Sequence, residues 1–540
     1  MTPGAADPDA LAALQARYAA RWQALWAAAL DATPRDGGVH ATPLPAMVDP
    51  TPGDRRFAAR EWSTLPWFSL LKQSYLLAGE YAQETVALAP LPEGERRRLA
   101  FLTRQAVDAL APTNFAATNP DAIRRALETD GASVARGMAN LAADAGRGRI
   151  SMTDESAFEV GRNLATTPGA VVFRNDLIEV IQYSSATATV HRRPLVIVPP
   201  CINKFYILDL QPENSFVRWA VQQGHTVFML SWRSIPAEFG HLGWDDYVEI
   251  GVLAAIRVAR EITGARGVNA LGFCVGGTLL TCALAVLAAR GDRSVASLTL
   301  LTTLVDFAEP GEIGHYVSRE FLAARAPALR GGARLHGREI AGAFATLRAN
   351  DLIWHYVVRN YLRGETPPPF DLLHWNSDAS NLPGPMYVDY LQNLYLDNRL
   401  REPGALTVAG VAIDLARIDA PAYVMAARDD HIVPWRGAYR TTGLLGRPAT
   451  FVLGASGHIA GVVNAPARNA RNFWVNAGLA ANADDWLARA ESRAGSWWPH
   501  WAAWLAPHAG RRVKAPRGPG SAAHPALEAA PGTFVRQRAD

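Results

Sequence analysis

The first 165 residues carry apolar side chains at helical spacing and contain no segment with the pattern of a strand. Between residues 9 and 30 an apolar side chain recurs every three or four positions, which is the period of a helix with one buried face. Residues 69–89 and 119–145 continue this pattern. The sequence therefore predicts an all-helical N-terminal domain over residues 1–165.

From residue 166 the pattern changes to short apolar runs that alternate with amphipathic helices. Two strand-like runs between residues 169 and 184 are close enough along the chain to form an antiparallel pair. The apolar runs that follow are 194–200, 226–232, 268–273 and 297–305. This alternation is typical of a mainly parallel sheet with helices on both faces, so we predict an α/β catalytic domain over residues 166–506.

The alternation stops between residues 307 and 415, where the chain is aromatic, helical and interrupted by prolines. It resumes with strand-then-loop patterns at 420–430 and 448–458. An insertion of this size between core strands predicts a helical cap over the site. The last segment, residues 507–540, is rich in Ala, Pro, Gly and Arg, a composition that predicts a loose C-terminal tail.

Composition and charge are those of a globular protein, with 49% hydrophobic and 19% charged residues. The formal net charge of +3 is too small to indicate nucleic acid as a partner. Three cysteines argue against a disulfide framework and indicate a reducing compartment. The sequence shows no secretory signal and no long apolar run, so we expect a cytoplasmic protein without a transmembrane segment.

The segment GFCVG places a cysteine where a serine esterase has its nucleophile, between a predicted strand and a predicted helix. The nucleophile of such a turn sits on a sharp bend, and Gly272, Gly276 and Gly277 leave the room that larger side chains would fill. The start of the following helix favours a thiolate. We therefore predict Cys274 as the nucleophile, whereas Cys282 lies inside the helix and is predicted to be a buried apolar residue.

Residues that could complete a catalytic triad follow in the order typical of an α/β-hydrolase fold, which is nucleophile, acid, histidine. Asp429 and Asp430 both follow a late strand, and their spacing does not choose between them. His458 lies after the last predicted strand among small residues and is the predicted catalytic histidine. His431 adjoins the acid and cannot easily turn back to donate a hydrogen bond to it while also reaching the thiol. We therefore predict that His431 is a structural residue or a residue that supports the triad without touching the substrate.

An oxyanion hole needs two backbone N–H groups. The first is predicted to be that of Val275, directly after the nucleophile. The second should come from the loop after an early strand, which reads PPCINKFY. The two prolines have no N–H to donate, so the donor is predicted to be Cys201 or Ile202.

With these residues identified, the chain resembles the class I poly(3-hydroxyalkanoate) synthases. The matching segments cover about residues 60 to 505 in order: PPCINKFYILDLQPENS, GFCVGGTLL, LTTLVDF, NDLIWHYVVRNYLRG, FDLLHWNSDASNLPGPMY, DDHIVPW, GASGHIAGVVN and GSWWPHWAAWL. The resemblance implies that Cys274 and His458 are the catalytic cysteine and histidine. It also implies that Asp430, the aspartate directly before the histidine of D-H-I, is the catalytic acid. Trp375 matches a tryptophan associated with dimerisation in that family.

The resemblance also implies an activity, the polymerisation of short-chain (R)-3-hydroxyacyl-CoA, with 3-hydroxybutyryl-CoA as the first candidate. Polyester would form with release of CoA and without a cofactor or metal. Expected partners are the growing polyester, a second copy of the chain and the surface of cytoplasmic polyester granules with their associated proteins. A thioesterase or an intracellular polyester depolymerase of the same fold would share the triad, and a granule-surface protein with a relic site is the non-enzymatic alternative.

Overall fold

A computed structural model describes residues 7–32 and 43–539. These residues divide into two compact units. Unit 1 contains the described residues up to Asp154 together with Phe344–Pro368, and unit 2 contains Glu155–Ala343 and the chain from Pro369 onwards. Within the described residues, none of the helices is both long and apolar enough to cross a lipid bilayer.

Unit 1 is helical, as predicted. Its first helix packs against the third through a cluster of buried residues that includes Leu14, Tyr18, Leu25 and Leu77. The α-helices of this unit are Pro8–Asp31, Glu61–Thr64, Pro66–Ala87, Glu93–Ala109, Pro120–Glu128 and Ala132–Arg147, and two π-helical segments follow at Asn350–Trp354 and Val357–Leu362.

Residues 344–368 belong to unit 1, which corrects their prediction as part of the cap insertion. The Tyr361 hydroxyl donates to Asp144 at 2.7 Å, and the Asn140 amide donates to the Asn360 carbonyl at 3.0 Å. A Cβ on Gly137 would overlap the Tyr361 carbonyl, so the backbones approach closely there. These contacts join residues more than 200 positions apart, and periodicity along the chain carries no information about them.

The boundary after the N-terminal helices lies at Asp154 instead of the predicted residue 165. Leu164 and Ala165 are buried in the core of unit 2. The Ala165 N–H donates to the Asp209 carbonyl at 2.9 Å. The segment that follows the last N-terminal helix is therefore packed as part of unit 2.

Unit 2 is built on an eleven-stranded sheet. Its strands are β1 (Gly169–Arg174), β2 (Ile178–Tyr183), β3 (Leu195–Val198), β4 (Val227–Trp232), β5 (Val268–Phe273), β6 (Val295–Leu301), β7 (Ala422–Ala427), β8 (Thr450–Gly454), β9 (Asn472–Val475), β10 (Glu491–Ala494) and β11 (Glu528–Ala529). Their order across the sheet is β10-β9-β8-β7-β6-β5-β3-β4-β2-β1-β11. Strands β3 to β8 are parallel and the flanking strands antiparallel, which confirms the predicted mainly parallel sheet.

The helices of unit 2 follow the strands, as the alternation predicts. The helix Val275–Ala289 comes directly after β5, and all of its residues up to Val286 are buried. The other α-helices outside the insertion are Phe216–Gln222, Trp244–Asp246, Ala254–Thr263, Trp435–Arg440, His458–Val462, Ala483–Ala488 and Trp498–Leu505, with a π-helical segment at Tyr247–Leu253. Because successive parallel strands end at one edge of the sheet, the loops that carry the predicted site residues meet there.

The insertion lies between β6 and β7, which are neighbours in the sheet. Its helices are Arg319–Arg330, Gly337–Leu347, Asp371–Asn376, Gly384–Asp389 and the π-helical Tyr390–Leu396. The first and the last two of these pack together through a cluster of buried residues that includes Leu322, Leu329, Val388 and Leu391. Two short pairs of strands complete the insertion, Arg334–Leu335 with Leu382–Pro383 and Thr407–Val408 with Val411–Ala412.

The C-terminal tail is part of unit 2 and packs against its sheet, so the prediction of a loose segment over 507–540 is wrong for its described part. Strand β11 pairs with β1, and Phe534 and Val535 are buried. The backbone N–H groups of Thr533 and Phe534 donate to the buried carboxylate of Glu179 at 3.2 and 3.0 Å. Two buried apolar side chains and a few backbone hydrogen bonds are enough to hold a polar segment against the rest of the domain. The amino-acid composition of the segment does not reveal such contacts.

Candidate active site

Cys274 stands at the turn between β5 and the helix Val275–Ala289. Its backbone has φ 53° and ψ −131°, a conformation that non-glycine residues rarely adopt. The Cys274 N–H donates to the Leu301 carbonyl at 3.0 Å, and its carbonyl accepts the N–H of Gly277 at 2.8 Å. These bonds fix the strained turn, so the predicted nucleophile is held at the carboxyl edge of the sheet.

The three glycines around Cys274 are at points of close backbone approach. A Cβ on Gly272 would overlap the backbone of Gly277, and a Cβ on Gly277 would overlap the side chain of Thr303. A Cβ on Gly276 would overlap the carbonyl oxygens of Val198 and Pro199, at the end of β3. The turn therefore requires glycine at each predicted position.

Replacing Gly276 by alanine is expected to destabilise unit 2 by about 3 kcal/mol, because two backbone carbonyls would have to move to admit the methyl group. We also expect at least a 10-fold loss of activity, since the loop after β3 would shift. Thermal unfolding and turnover measure the two effects. Gly443→Ala is the matched control, because a Cβ there meets no atom within 4 Å. Equal stability of the two variants would contradict the close packing described here.

Asp430 and His458 are brought together at the same edge. Asp430 Oδ2 lies 2.7 Å from His458 Nδ1, and both side chains are buried. The other oxygen, Oδ1, accepts the backbone N–H groups of Ile432 and Val433 at 2.9 and 2.8 Å. Asp429 is exposed and has no such contact. The structure thus distinguishes the two aspartates that spacing left open, because only Asp430 orients the imidazole.

The charge on His458 depends on its two neighbours. Burial alone lowers the pKa of the imidazole, but the carboxylate of Asp430 and then the sulfur of Cys274 outweigh burial and raise the pKa to about 10. The Phe273 ring stacks on the imidazole at a centroid distance of 5.6 Å. His458 therefore interacts with Cys274 on one side and with Asp430 on the other, and the site favours the protonated imidazole.

This raised pKa predicts a pH-dependent contribution to stability. The proton on His458 stabilises the native state fully below the ordinary value of 6.5, and the contribution is lost as the pH rises toward 10. In a Cys274→Ala background the sulfur no longer contributes to the raised pKa of His458, which is then below 10. In that background Asp430→Asn should lower the free energy of unfolding more at pH 6.5 than at pH 8.5. The difference in unfolding free energy between the proteins with and without Asp430→Asn should narrow by about 1 kcal/mol per pH unit, as measured by denaturant titration. A difference that widens as the pH rises would contradict a raised pKa for His458.

Two tryptophans hold the helix that begins at His458. The indole N–H groups of Trp497 and Trp498 donate to the carbonyls of Gly461 and Val462 at 3.0 and 2.9 Å. Both indoles are buried. Neither tryptophan was predicted to support the site. The pair of adjacent tryptophans in GSWWPHWAAWL was the signal in the sequence that could have indicated such a role.

The candidate oxyanion donors lie on two adjacent turns. Val198 of β3 pairs with Gly272 of β5, so the loop after β3 adjoins the turn at Cys274. Val275 is the first residue of its helix, and the first N–H groups of a helix have no carbonyl acceptor within it. The Val275 N–H can therefore donate to an oxyanion. Cys201 is 1% exposed, and burial strongly raises the pKa of its thiol, which fits a structural side chain rather than a second nucleophile.

Two tyrosines of unit 2, Tyr390 and Tyr395, lie near Cys274, and Phe307 packs against both of them. Phe307 contacts Tyr395 at a centroid distance of 5.0 Å, and Tyr390 contacts Tyr395 at 5.3 Å. Burial, then the Tyr395 hydroxyl and then the Cys274 sulfur, raise the pKa of Tyr390 well above its ordinary range. The π-helical segment Tyr390–Leu396 of the insertion therefore places two phenolic side chains near the sulfur.

Comparisons with known proteins match the whole chain. A family profile described as "Poly-beta-hydroxybutyrate polymerase (PhaC) N-terminus" matches residues 53–220. The poly(3-hydroxyalkanoate) polymerase subunit PhaC of Cupriavidus necator is 50% identical over 98% of this chain and 89% of its own length. The poly(3-hydroxyalkanoate) polymerase of Methylorubrum extorquens is 43% identical over 99% and 88%. The chain belongs to the poly(3-hydroxyalkanoate) polymerase family. The resemblance found in the sequence is thereby confirmed.

The fold of this family member is also confirmed by a second profile, "alpha/beta hydrolase fold", which matches residues 194–465. Among solved structures, a monoacylglycerol lipase of Paleococcus ferrophilus is 15% identical and covers 52% of this chain and 90% of its own, with a TM-score of 0.34. The profile, the mainly parallel sheet of unit 2 and the helices of unit 1 together confirm the predicted α/β-hydrolase fold with an N-terminal helical region.

Two further predicted residues occupy supporting places. His431 follows Asp430, and its carbonyl accepts the Glu312 N–H at 3.4 Å. Trp375, predicted for dimerisation from the polymerase family, is only 5% exposed, and its indole N–H donates to the Lys204 carbonyl at 2.7 Å. Trp375 therefore makes no surface for a partner by itself, and any effect on dimerisation would pass through the loop that it holds.

Proposed function

We propose that this chain polymerises (R)-3-hydroxyacyl-CoA into polyester with release of CoA, through a covalent thioester on Cys274. The observation that supports this most strongly is a cysteine at the strained nucleophile turn, in line with His458 and Asp430. The family profile named for poly-β-hydroxybutyrate supports 3-hydroxybutyryl-CoA as the substrate and a short-chain, class I enzyme.

A thiol suits this reaction better than a hydroxyl. The substrate is a thioester, so its transfer to Cys274 exchanges one thioester for another at little cost in free energy. The thiolate is also a better leaving group than an alkoxide when the next hydroxyl attacks. The acyl-enzyme of a polymerase must form readily and remain reactive, and a cysteine meets both requirements.

The proposed cycle begins from the pair in which His458, the general base, already holds the proton of Cys274, and the thiolate attacks the thioester carbonyl. The oxyanion accepts hydrogen bonds from the N–H of Val275 and from that of Cys201 or Ile202. Collapse of this intermediate expels CoA, which leaves with the proton from His458. A 3-hydroxyl then attacks the carbonyl of an acyl-thioester and gives up its proton to a base. The ester bond forms as the C–S bond of that thioester breaks and its thiolate leaves. Asp430 orients His458 or assists that deprotonation.

Water must be excluded because it competes with the 3-hydroxyl for the acyl-enzyme. Tyr390 and Tyr395 lie near the sulfur and Phe307 packs against both, and these three rings favour the exclusion of water. The proposed cycle uses side chains and backbone groups of this chain and needs no cofactor. We further propose that the protein acts as a homodimer at the surface of cytoplasmic granules formed by its polyester product.

The experiment that tests this proposal is incubation of the purified chain with (R)-3-hydroxybutyryl-CoA. We expect one CoA released for each acyl group incorporated into insoluble polyester. Free 3-hydroxybutyrate as the sole acyl product would instead identify a thioesterase or depolymerase of the same fold. Absence of CoA release under conditions in which the chain is folded would favour the granule-surface protein with a relic site.

A further inference from the structure

A buried lysine lies in the loop that carries the candidate oxyanion donors. Lys204 is 2% exposed, and its Nζ donates to the backbone carbonyl of Gln537 at 2.6 Å. A buried ammonium is costly unless other groups satisfy it, so a lysine at this depth requires a structural or functional reason. Asp378 is the acidic neighbour whose charge acts on Lys204.

The other polar groups of this loop are also fixed by bonds. The Pro199 carbonyl accepts the indole N–H of Trp232 at 2.9 Å, and the Ile202 carbonyl accepts the Ser380 N–H at 2.8 Å. The Lys204 carbonyl accepts the indole N–H of Trp375 at 2.7 Å. Both ends of the loop are therefore held through carbonyl groups, while the Lys204 ammonium makes the contact with the C-terminus.

The C-terminal segment is anchored independently of Lys204. Phe534 and Val535 are buried, and Glu179 accepts two backbone N–H groups from residues 533 and 534. Arg538 lies near Glu155, at 3.8 Å, and its charge also reaches Asp378. Three distant segments thus meet around one ammonium: the loop after β3, the insertion near residue 378 and the end of the chain.

We propose that Lys204 is a positioning residue, whose ammonium ties the loop of Cys201 and Ile202 to the backbone carbonyl of Gln537 and thereby fixes the oxyanion donor. This inference rests on the proposed function. An oxyanion donor acts on the transition state, so a loop that moves should lower kcat while substrate binding changes little. The segment at Gln537, which is remote in sequence from His458, thereby contributes to kcat.

Two variants of the full protein remove the same bond from opposite sides. Lys204→Met removes the ammonium and retains the length of the side chain. A chain ending at Arg536 removes the acceptor at residue 537 but keeps Phe534 and Val535. With (R)-3-hydroxybutyryl-CoA we expect kcat to fall about 10- to 100-fold in each, with KM changed less than about 2-fold. Lys514→Met, at an exposed position, is the matched control and should keep the wild-type kcat.

The double variant separates positioning from general loss of packing. Because both changes remove the same interaction, we expect the kcat of the double variant to equal that of the slower single variant. Independent effects would instead multiply the two fold-losses in kcat. The inference would be overturned by a wild-type kcat in Lys204→Met or by fold-losses in kcat that multiply in the double variant. It would also be overturned by an effect confined to KM or to the midpoint of thermal unfolding. If Lys204→Met does not fold, the shortened chain alone tests kcat against KM. A wild-type chain that makes no polyester would refute the proposed function instead.

Discussion

Cys274→Ala is expected to abolish release of CoA from (R)-3-hydroxybutyryl-CoA, with a loss on the order of 10⁴-fold or more. The sulfur is the proposed point of covalent attachment, and no neighbouring group can replace it: Cys201 is buried, with its pKa strongly raised by that burial, and Cys282 lies inside a helix. Release of CoA in a stopped assay measures the effect. Cys282→Ala is the control, and it should retain turnover if the protein folds.

Cys274→Ser tests the chemical reason for a thiol. A serine at this turn would form an oxoester, which lies lower in free energy than a thioester and has a poorer leaving group. We therefore expect at most one equivalent of CoA per active site, followed by arrest with the acyl group attached. Sustained polymerisation by the serine variant would contradict the argument for cysteine.

His458→Gln and Asp430→Asn form the prediction with the next largest effect. We expect a loss of about 10³-fold for His458→Gln, because proton transfer to and from the sulfur would be removed. Asp430→Asn should lose roughly 10²-fold, because an amide that donates to Nδ1 favours the wrong tautomer of the imidazole. Initial rates of CoA release measure both losses.

Asp429→Asn is the matched control for Asp430→Asn. It removes the same charge one position earlier, from an exposed side chain without contact to His458. Its rate should remain within about 2-fold of wild type, as expected for a surface substitution. Equal losses in the two aspartate variants would indicate that net charge near the site matters and that the 2.7 Å contact does not.

The sheet was largely predictable because each strand of its centre is a short and mostly apolar run. Residues 268–273 were predicted as a strand and form β5 with the same bounds. The order of nucleophile, acid and histidine also follows the chain, so candidate site residues could be named without coordinates. The choice between Asp429 and Asp430 could not be made from spacing, because it depends on which carboxylate is buried against the imidazole.

The features that escaped prediction all depend on contacts between distant parts of the chain. Residues 344–368 pack with helices near residue 140, and the C-terminal tail is fixed by Glu179 and Lys204. Trp497 and Trp498 hold the helix of His458 from 36 positions away. Hydrophobic periodicity describes local structure and the face that is buried, but not the partner that buries it.

The central claim is that the growing chain is carried as a thioester on Cys274. The most direct measurement is mass spectrometry of peptides from an acid-quenched reaction with (R)-3-hydroxybutyryl-CoA. The account predicts that 3-hydroxybutyryl units, one or more in number, are attached to the peptide that contains Cys274 and are released by neutral hydroxylamine. Polyester formation with the acyl group found only on another residue, or on none, would contradict it.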